Sequence, residues 1–242
     1  METYVHESAQ NDKGFTLVEL AVVMIIIGLL IGGILKGQEM IANAQLTSTV
    51  AQTKSYIAAT NTFKDQYDAF PGDMSTAQAR LANCTANPCG NGDGDSRIDA
   101  NVGAVATAAN EVGFYFSHLL HSELVSGYTG TATTSFGELV PTADVGGGYF
   151  IGHSSTGVTG FTAAELRPGH YLVLTGQFAA VASGTGMLTP SQAARIDRKM
   201  DDGTPASGSV ISETANANCR QAAAYNEDDE TQLCNIAIRV DG

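Results

Sequence analysis

The chain has 242 residues, 43% of them hydrophobic, enough to bury one sizeable core with an appended element rather than two full domains. Its formal net charge is −13, and its 12 Lys and Arg residues are scattered without a cluster. That balance argues against nucleic acid as a direct partner, because a phosphate backbone demands a basic stripe to release counterions. The acidity suits solubility or cation binding instead.

The first 14 residues, METYVHESAQNDKG, are polar and acidic. Residues 15–35 then read FTLVELAVVMIIIGLLIGGIL. A helix over that run is about 31 Å long, the thickness of a bilayer core. A secretory signal peptide would have a shorter apolar stretch, several positive charges ahead of it and a small-residue cleavage site behind it. Here Lys13 is the only lysine or arginine ahead, and Lys36 and a polar, helix-compatible stretch follow, so the segment reads as retained. Glu19 lies inside the run, where an ionised carboxylate costs about 2.5–3.5 kcal/mol at mid-bilayer depth and therefore needs a partner.

Lys13-Gly14-Phe15-Thr16-Leu17-Val18-Glu19-Leu20, followed by the long apolar run, closely resembles the cleavage and methylation motif of type IV prepilins and type II secretion pseudopilins. The resemblance implies that a prepilin peptidase cuts between Gly14 and Phe15 on the cytoplasmic side and that the new amino group of Phe15 is methylated. It also implies that Glu19 meets the cationic terminus of a neighbouring subunit, an opposite-charge contact that sets axial register in a low-dielectric filament core. The implied partners are that peptidase, other pilin or pseudopilin subunits in a homo- or hetero-oligomeric filament, and an inner-membrane assembly platform. The implied location is a single-pass inner-membrane state before assembly, then a periplasmic or extracellular filament.

Gly14 fits that reading because a side chain would obstruct the peptidase at the scissile backbone. Gly28, Gly32, Gly33 and Gly37 have helical small-residue spacing that suits close approach of neighbouring helices, though each weakens the helix by up to about 1 kcal/mol relative to Ala. Two features depart from the common pattern. The leader is acidic, so orientation rests on Lys13 alone, and Lys36 stands where many major pilins have proline. Major pilin, minor pilin and pseudopilin all stay open.

From Lys36 to Phe70 there is no proline, and Ile41, Ala44, Tyr56, Phe63, Tyr67 and Phe70 make a helical stripe. The pattern predicts one nearly continuous helix over residues 15–69, ended by Pro71-Gly72-Asp73. The domain reading is a leader over 1–14, a long helix over 15–70 and an extracytoplasmic head over 71–242. The fold class is α+β and pilin-like. In the head, helices are expected over 109–125, with Val112, Tyr115, Phe116, Leu119, Leu120 and Leu124 on one face, and over 189–200, with a Thr cap before Pro190. Strands are expected over 148–152, 169–175, 177–181 and 235–240, joined by turns and hence antiparallel. His118 and His121 read as ordinary, partly exposed helix residues.

The four cysteines form two close pairs, Cys84 with Cys89 and Cys219 with Cys234, without the spacing or histidines of a zinc site. Of the three connectivities, the local one is expected because each pair closes a short loop, and it implies an oxidising compartment. After Cys89 runs Gly90-Asn91-Gly92-Asp93-Gly94-Asp95-Ser96-Arg97-Ile98-Asp99, with oxygens at alternate positions as a hard cation such as calcium requires. Asn91, Asp93, Asp95 and Asp99 are the candidate ligands. Ser96 replaces the usual turn glycine of a calcium loop and Val102 its closing glutamate, which leaves Glu111 or a carbonyl to complete the shell. Asp197, Asp201 and Asp202 read as a plain surface turn.

No Ser, His and Asp motif, phosphate loop or recognisable carboxylate pair marks an enzyme, so no catalytic residue is assigned and no cofactor is required; calcium is the single candidate. The leading function is a structural filament subunit, of a pilus or of a type II secretion pseudopilus. The competing class is a binding module, a tip-located minor pilin using loops around 127–165 as an adhesive surface.

Overall fold

The computed structural model describes residues 14–241; of the leader expected over residues 1–14, residues 1–13, Lys13 included, lie outside the described residues. The described chain falls into two units, residues up to 43 and residues 44–241. Helix α1, Leu17–Tyr67, supplies the body of the first and the opening of the second.

The start of α1 is fixed by its own side chains. Thr16 Oγ1 accepts the Glu19 N–H at 3.3 Å, and Glu19 Oε2 accepts the Thr16 N–H at 2.9 Å and its hydroxyl at 2.8 Å. This reciprocal pair satisfies two of the orphan donors at a helix N-terminus. From Phe15 to Ile41 the large apolar side chains stand exposed.

In the second unit the buried face of α1 is Leu46, Thr49, Val50, Thr53, Tyr56, Ala59, Thr60 and Phe63. Ile41 and Ala44 are exposed, so the buried stripe begins at Leu46 and is built partly of threonines that an apolar count passes over. Thr49, Thr53 and Thr60 donate to the carbonyls of Gln45, Thr49 and Tyr56 at 2.8–2.9 Å, which lets a hydroxyl be buried without loss. The same oxygens meet the phenols of the head: Thr60 with Tyr115 at 2.6 Å and Thr53 with Tyr149 at 3.1 Å.

Helix α2 is the short Ala77–Arg80 and α3 is Glu111–His121. Asn110 caps α3 by accepting the Gly113 N–H at 3.1 Å. Its other end closes with Glu123 N–H on Leu120 O and Leu124 N–H on Leu119 O, a Schellman arrangement with Glu123 at φ 59°. Those two caps trim the predicted 109–125 helix. Residues Glu111 through Leu119 are all buried, so α3 is enclosed on every side rather than along one face.

His118 is a correction of the same kind, being fully buried rather than partly exposed. Its Nδ1 accepts the Gly72 N–H and its Nε2 donates to Gly90 O, both at 2.8 Å. One side chain thus joins the turn after α1 to the loop after Cys89. Burial, against the bond to Gly90, pulls its pKa down to about 4.

Strands β1 (Gly148–His153), β2 (His170–Thr175), β3 (Val210–Ser212) and, after the two-residue hairpin of β4 (Arg220–Gln221) and β5 (Ala224–Tyr225), β6 (Ile236–Arg239) complete the head. The main sheet has the order β1-β2-β6-β3, antiparallel throughout, with Phe150 opposite Val173 and Val173 opposite Ala237. Every position of β1 and β2 is buried. Residues 177–181 are not a strand: β2 is already paired on both edges, and Phe178 packs against Phe136 and Phe150 at 5.2 and 5.3 Å. Helix α4, Pro190–Met200, starts at the expected Thr189 cap, which exchanges bonds with Gln192. Disulfides join Cys84 to Cys89 and Cys219 to Cys234.

Candidate functional site

Two places in the chain carry chemistry beyond packing: the start of α1, and a carboxylate cluster in the head. At the first, Gly14 and Phe15 are exposed, Phe15 at 80%. A Cβ on Gly14 would meet nothing within 4 Å, so no contact inside the chain demands a glycine there. The same holds for Gly28, Gly32, Gly33 and Gly37. Glu19, expected from sequence to depend on an outside cation, already has an internal partner in Thr16, and its charge sits at the helix N-terminus where the backbone dipoles favour it.

α1 is long and apolar enough to cross a membrane, and none of its most apolar stretch is buried. That exposed rod fits membrane anchoring.

The head cluster forms from three distant pieces of sequence. Asp73, buried, follows the turn that ends α1; its Oδ1 accepts the N–H groups of Gly94 (2.7 Å) and Asp95 (3.1 Å) and its Oδ2 that of Ser96 (2.8 Å). Glu111, in the first turn of α3, accepts the N–H of Asp93 at 3.2 Å and of Asp99 at 2.6 Å. Asp73, Asp93 and Glu111 each bring one oxygen within 4.8 Å of the others. Gly92 permits the approach, since a Cβ there would lie 2.3–2.5 Å from the backbone of Asp73. Ser96 takes φ 69°, the left-handed conformation its sequence position demands of a turn glycine.

Electrostatically the cluster is loaded with negative charge in a half-dry place. Burial pushes the carboxyl of Asp73 up. Burial and then the neighbouring Asp73 and Asp93 charges push Glu111 up to about 7, against the two backbone bonds it accepts. The other candidate ligands are turned to different partners. Asn91 Oδ1 accepts the Gln78 N–H at 2.9 Å, and Asp95 is paired with the Arg97 guanidinium, which holds its carboxyl below the usual range. Asp99 enters through its backbone N–H on Glu111.

Three carboxylates that converge in this way match the oxygen chemistry of a hard divalent cation. Asp73 escaped the sequence reading because Pro71-Gly72-Asp73 reads locally as a helix stop; only its tertiary position makes it a cluster member. The second acidic group, Asp197, Asp201 and Asp202, corrects the surface-turn expectation at one residue. Asp197 is fully buried and accepts from Tyr225 Oη at 2.9 Å and Gly203 N–H at 3.0 Å. Asp201 and Asp202 accept backbone and hydroxyl donors of residues 204–210, so all three are occupied as turn-fixing acceptors.

The comparison with known families now bears on the first of these places. Residues 9–35 match the prokaryotic N-terminal methylation motif, the signature of prepilin-type proteins, which include type IV pilins and pseudopilins. The likeness is confined to this N-terminal segment, which it marks as prepilin-type. No curated protein and no solved structure matches the chain.

Proposed function

We propose that this protein is a structural subunit of a type IV pilus-like filament. It is cut by prepilin peptidase between Gly14 and Phe15, methylated at Phe15, held in the inner membrane by α1 and then assembled with sibling subunits outside the cytoplasm. The observation that carries this reading is the run of exposed apolar side chains from Phe15 to Ile41, immediately behind a cleavage and methylation motif. An apolar rod left uncovered by its own chain needs lipid first and other such rods afterwards. Gly28, Gly32, Gly33 and Gly37, on which nothing in the chain presses, suit that close packing.

In the unassembled subunit Glu19 caps its own helix, so assembly exchanges Thr16 for the methylated amino terminus of a neighbour. Mass spectrometry of the native protein tests the processing: the expected chain begins at methylated Phe15. A native chain that keeps Met1, or one cut beyond the apolar run, would overturn the proposal.

A subsidiary proposal concerns the head. Calcium is its candidate ion, taken by the loop of Asn91, Asp93, Asp95 and Asp99 through Asp93 together with Asp73 and Glu111, whose convergence favours it. Chelation of the full-length protein should then lower the melting temperature of the head, and Asp73→Asn with Asp93→Asn should remove the difference. An unchanged melting temperature would sink the calcium reading and leave the filament reading untouched.

A further inference from the structure

The end of β1 and the start of β2 carry a pair of histidines that the filament reading does not use. His153 and His170 stand opposite each other in the strand register. The His153 N–H goes outward to Ala100 O at 2.9 Å, and the His170 N–H to Asp241 Oδ1 at 2.7 Å. The two residues therefore exchange no backbone bond, the arrangement in which opposed side chains come closest across an antiparallel pair. Their ring centres lie 4.6 Å apart with the planes at 62°. Two imidazoles bound to one ion at about 2.0–2.1 Å per nitrogen have ring centres roughly 4.5–5.5 Å apart.

The ring nitrogens are sorted by their other partners. His170 Nδ1 lies 2.8 Å from Asp241 Oδ2, and, against burial, the bonds from His170 hold the Asp241 carboxyl down at about 2. An ionised carboxylate only accepts, so His170 carries a proton on Nδ1, and its neutral ring keeps a lone pair on Nε2. Such a carboxylate behind the ring is the outer support that metal-binding histidines use. His153 Nδ1 is turned to Ser155, with the hydroxyl oxygen at 2.6 Å and the amide nitrogen at 3.2 Å. With Nδ1–H donated to that hydroxyl, Nε2 of this ring has the free lone pair as well, and the amide of the exposed Ser155 turns to water. Burial and then the nearby His170 lower the His153 pKa, which favours the neutral imidazole that a metal requires.

A cavity of about 200 Å³ opens beside His170 and Asp241, lined also by Lys64, Asp68 and Ser96, and has room for an ion with its remaining water ligands. Phe70 stacks on His170 with ring centres 3.6 Å apart, so it covers the face of the ring and not the edge that bears Nε2. We propose that His153 and His170 form a binding site for one borderline divalent transition-metal ion, Zn2+ first among them, with Asp241 as its positioning residue. Imidazole nitrogen suits such ions, whereas the carboxylates around Asp73 suit hard ones. A bound ion ties the end of β1 to β2 and, through Asp241, to the segment after β6.

The test follows the imidazole 15N resonances of the full-length, untagged chain in detergent micelles as zinc chloride is added. The Nε2 signals of His153 and His170 should shift together, saturate at one ion per chain and return on addition of EDTA. A shift at one ring of the pair alone, at other histidines only, or at none would overturn the proposal. Zinc held by the Asp73 cluster would leave both rings unmoved and counts against it equally. Asp241→Asn should weaken the affinity about tenfold, and His153→Gln or His170→Gln should weaken it further. Wild-type affinity in both histidine variants would likewise sink the site. If a variant does not fold, the wild-type titration decides alone.

Discussion

The two halves of helix α1 teach opposite lessons about the same secondary structure. Residues 17–35 are, but for Glu19, apolar around the whole circumference, and they are exposed, with Leu17 at 87% and Leu29 at 74%. Residues 44–67 bury a narrow stripe from Leu46 to Phe63 and turn Gln45, Lys54, Asn61, Lys64 and Gln66 outward. A striped helix finds its partner within its own chain, whereas an all-round apolar helix needs a solvent other than water. The stripe is also half threonine and tyrosine, so its contacts with the head are polar as well as apolar: Thr60 to Tyr115, Thr53 to Tyr149.

Four sets of measurements sharpen that contrast, and the largest effect belongs to Glu19. If its carboxylate is paired with a neighbouring amino terminus in the filament core, Glu19→Ala leaves a buried cation alone, a loss of about 3–5 kcal/mol. That corresponds to a fall of roughly a hundredfold or more in assembly, read by quantifying sheared filaments, while membrane insertion stays intact. Thr16→Ala removes only the internal cap, about 1 kcal/mol. The pair therefore separates register from capping, and abundant Glu19→Ala filaments would break the comparison at its first half.

In the second half, Phe63 is fully buried between Tyr67 and His118. Phe63→Ala should cost about 3–5 kcal/mol in denaturant unfolding of the head. Ile26→Ala, at a side chain 51% exposed in the apolar half, should leave that unfolding free energy within about 0.5 kcal/mol of the wild type. Equal losses at both sites would mean that the apolar half is part of the head's core.

The two disulfides give a smaller and graded effect. Replacing Cys219 and Cys234 by serine opens a loop of sequence separation 15 and should cost about 3 kcal/mol; the Cys84–Cys89 pair, separation 5, should cost less. Denaturant midpoints of the two double variants should fall in that order.

Proton linkage is the mildest effect. Glu111, raised to about 7 in the head cluster, stabilises the fold fully below the ordinary glutamate range and loses that contribution as pH rises through about 7. Without added cation the head should melt lower at pH 8 than at pH 6, and Glu111→Gln should flatten the difference. Calcium reverses the sign if it binds, because it favours the ionised carboxylates, so chelator and pH series together distinguish a bound cation from a bound proton.

Much of this architecture is legible in local sequence. The apolar run, the Lys13–Leu20 motif, the Thr189-Pro190 start of α4, the paired cysteines and the apolar runs of β1 and β2 are all carried by residues close together in the chain. What escaped are elements whose signal lies elsewhere in the chain. Strand β3 has three residues among serines and glycines, and exists because β6 offers it an edge. Residues 177–181 have strand-like composition but no edge left to join. His118 looks like a surface helix residue until Gly72 and Gly90 close on it from two loops.

Composition and periodicity alone determine that this chain has an apolar rod able to enter a membrane, because hydrophobic burial depends on which residues lie on a surface and not on where that surface ends up. Tertiary structure alone decides which oxygens meet. Glu111 could be named from sequence as a candidate to complete the Asp93 loop, but Asp73 could not, and only a folded head brings the three close enough for charge and hydrogen bonding to act between them.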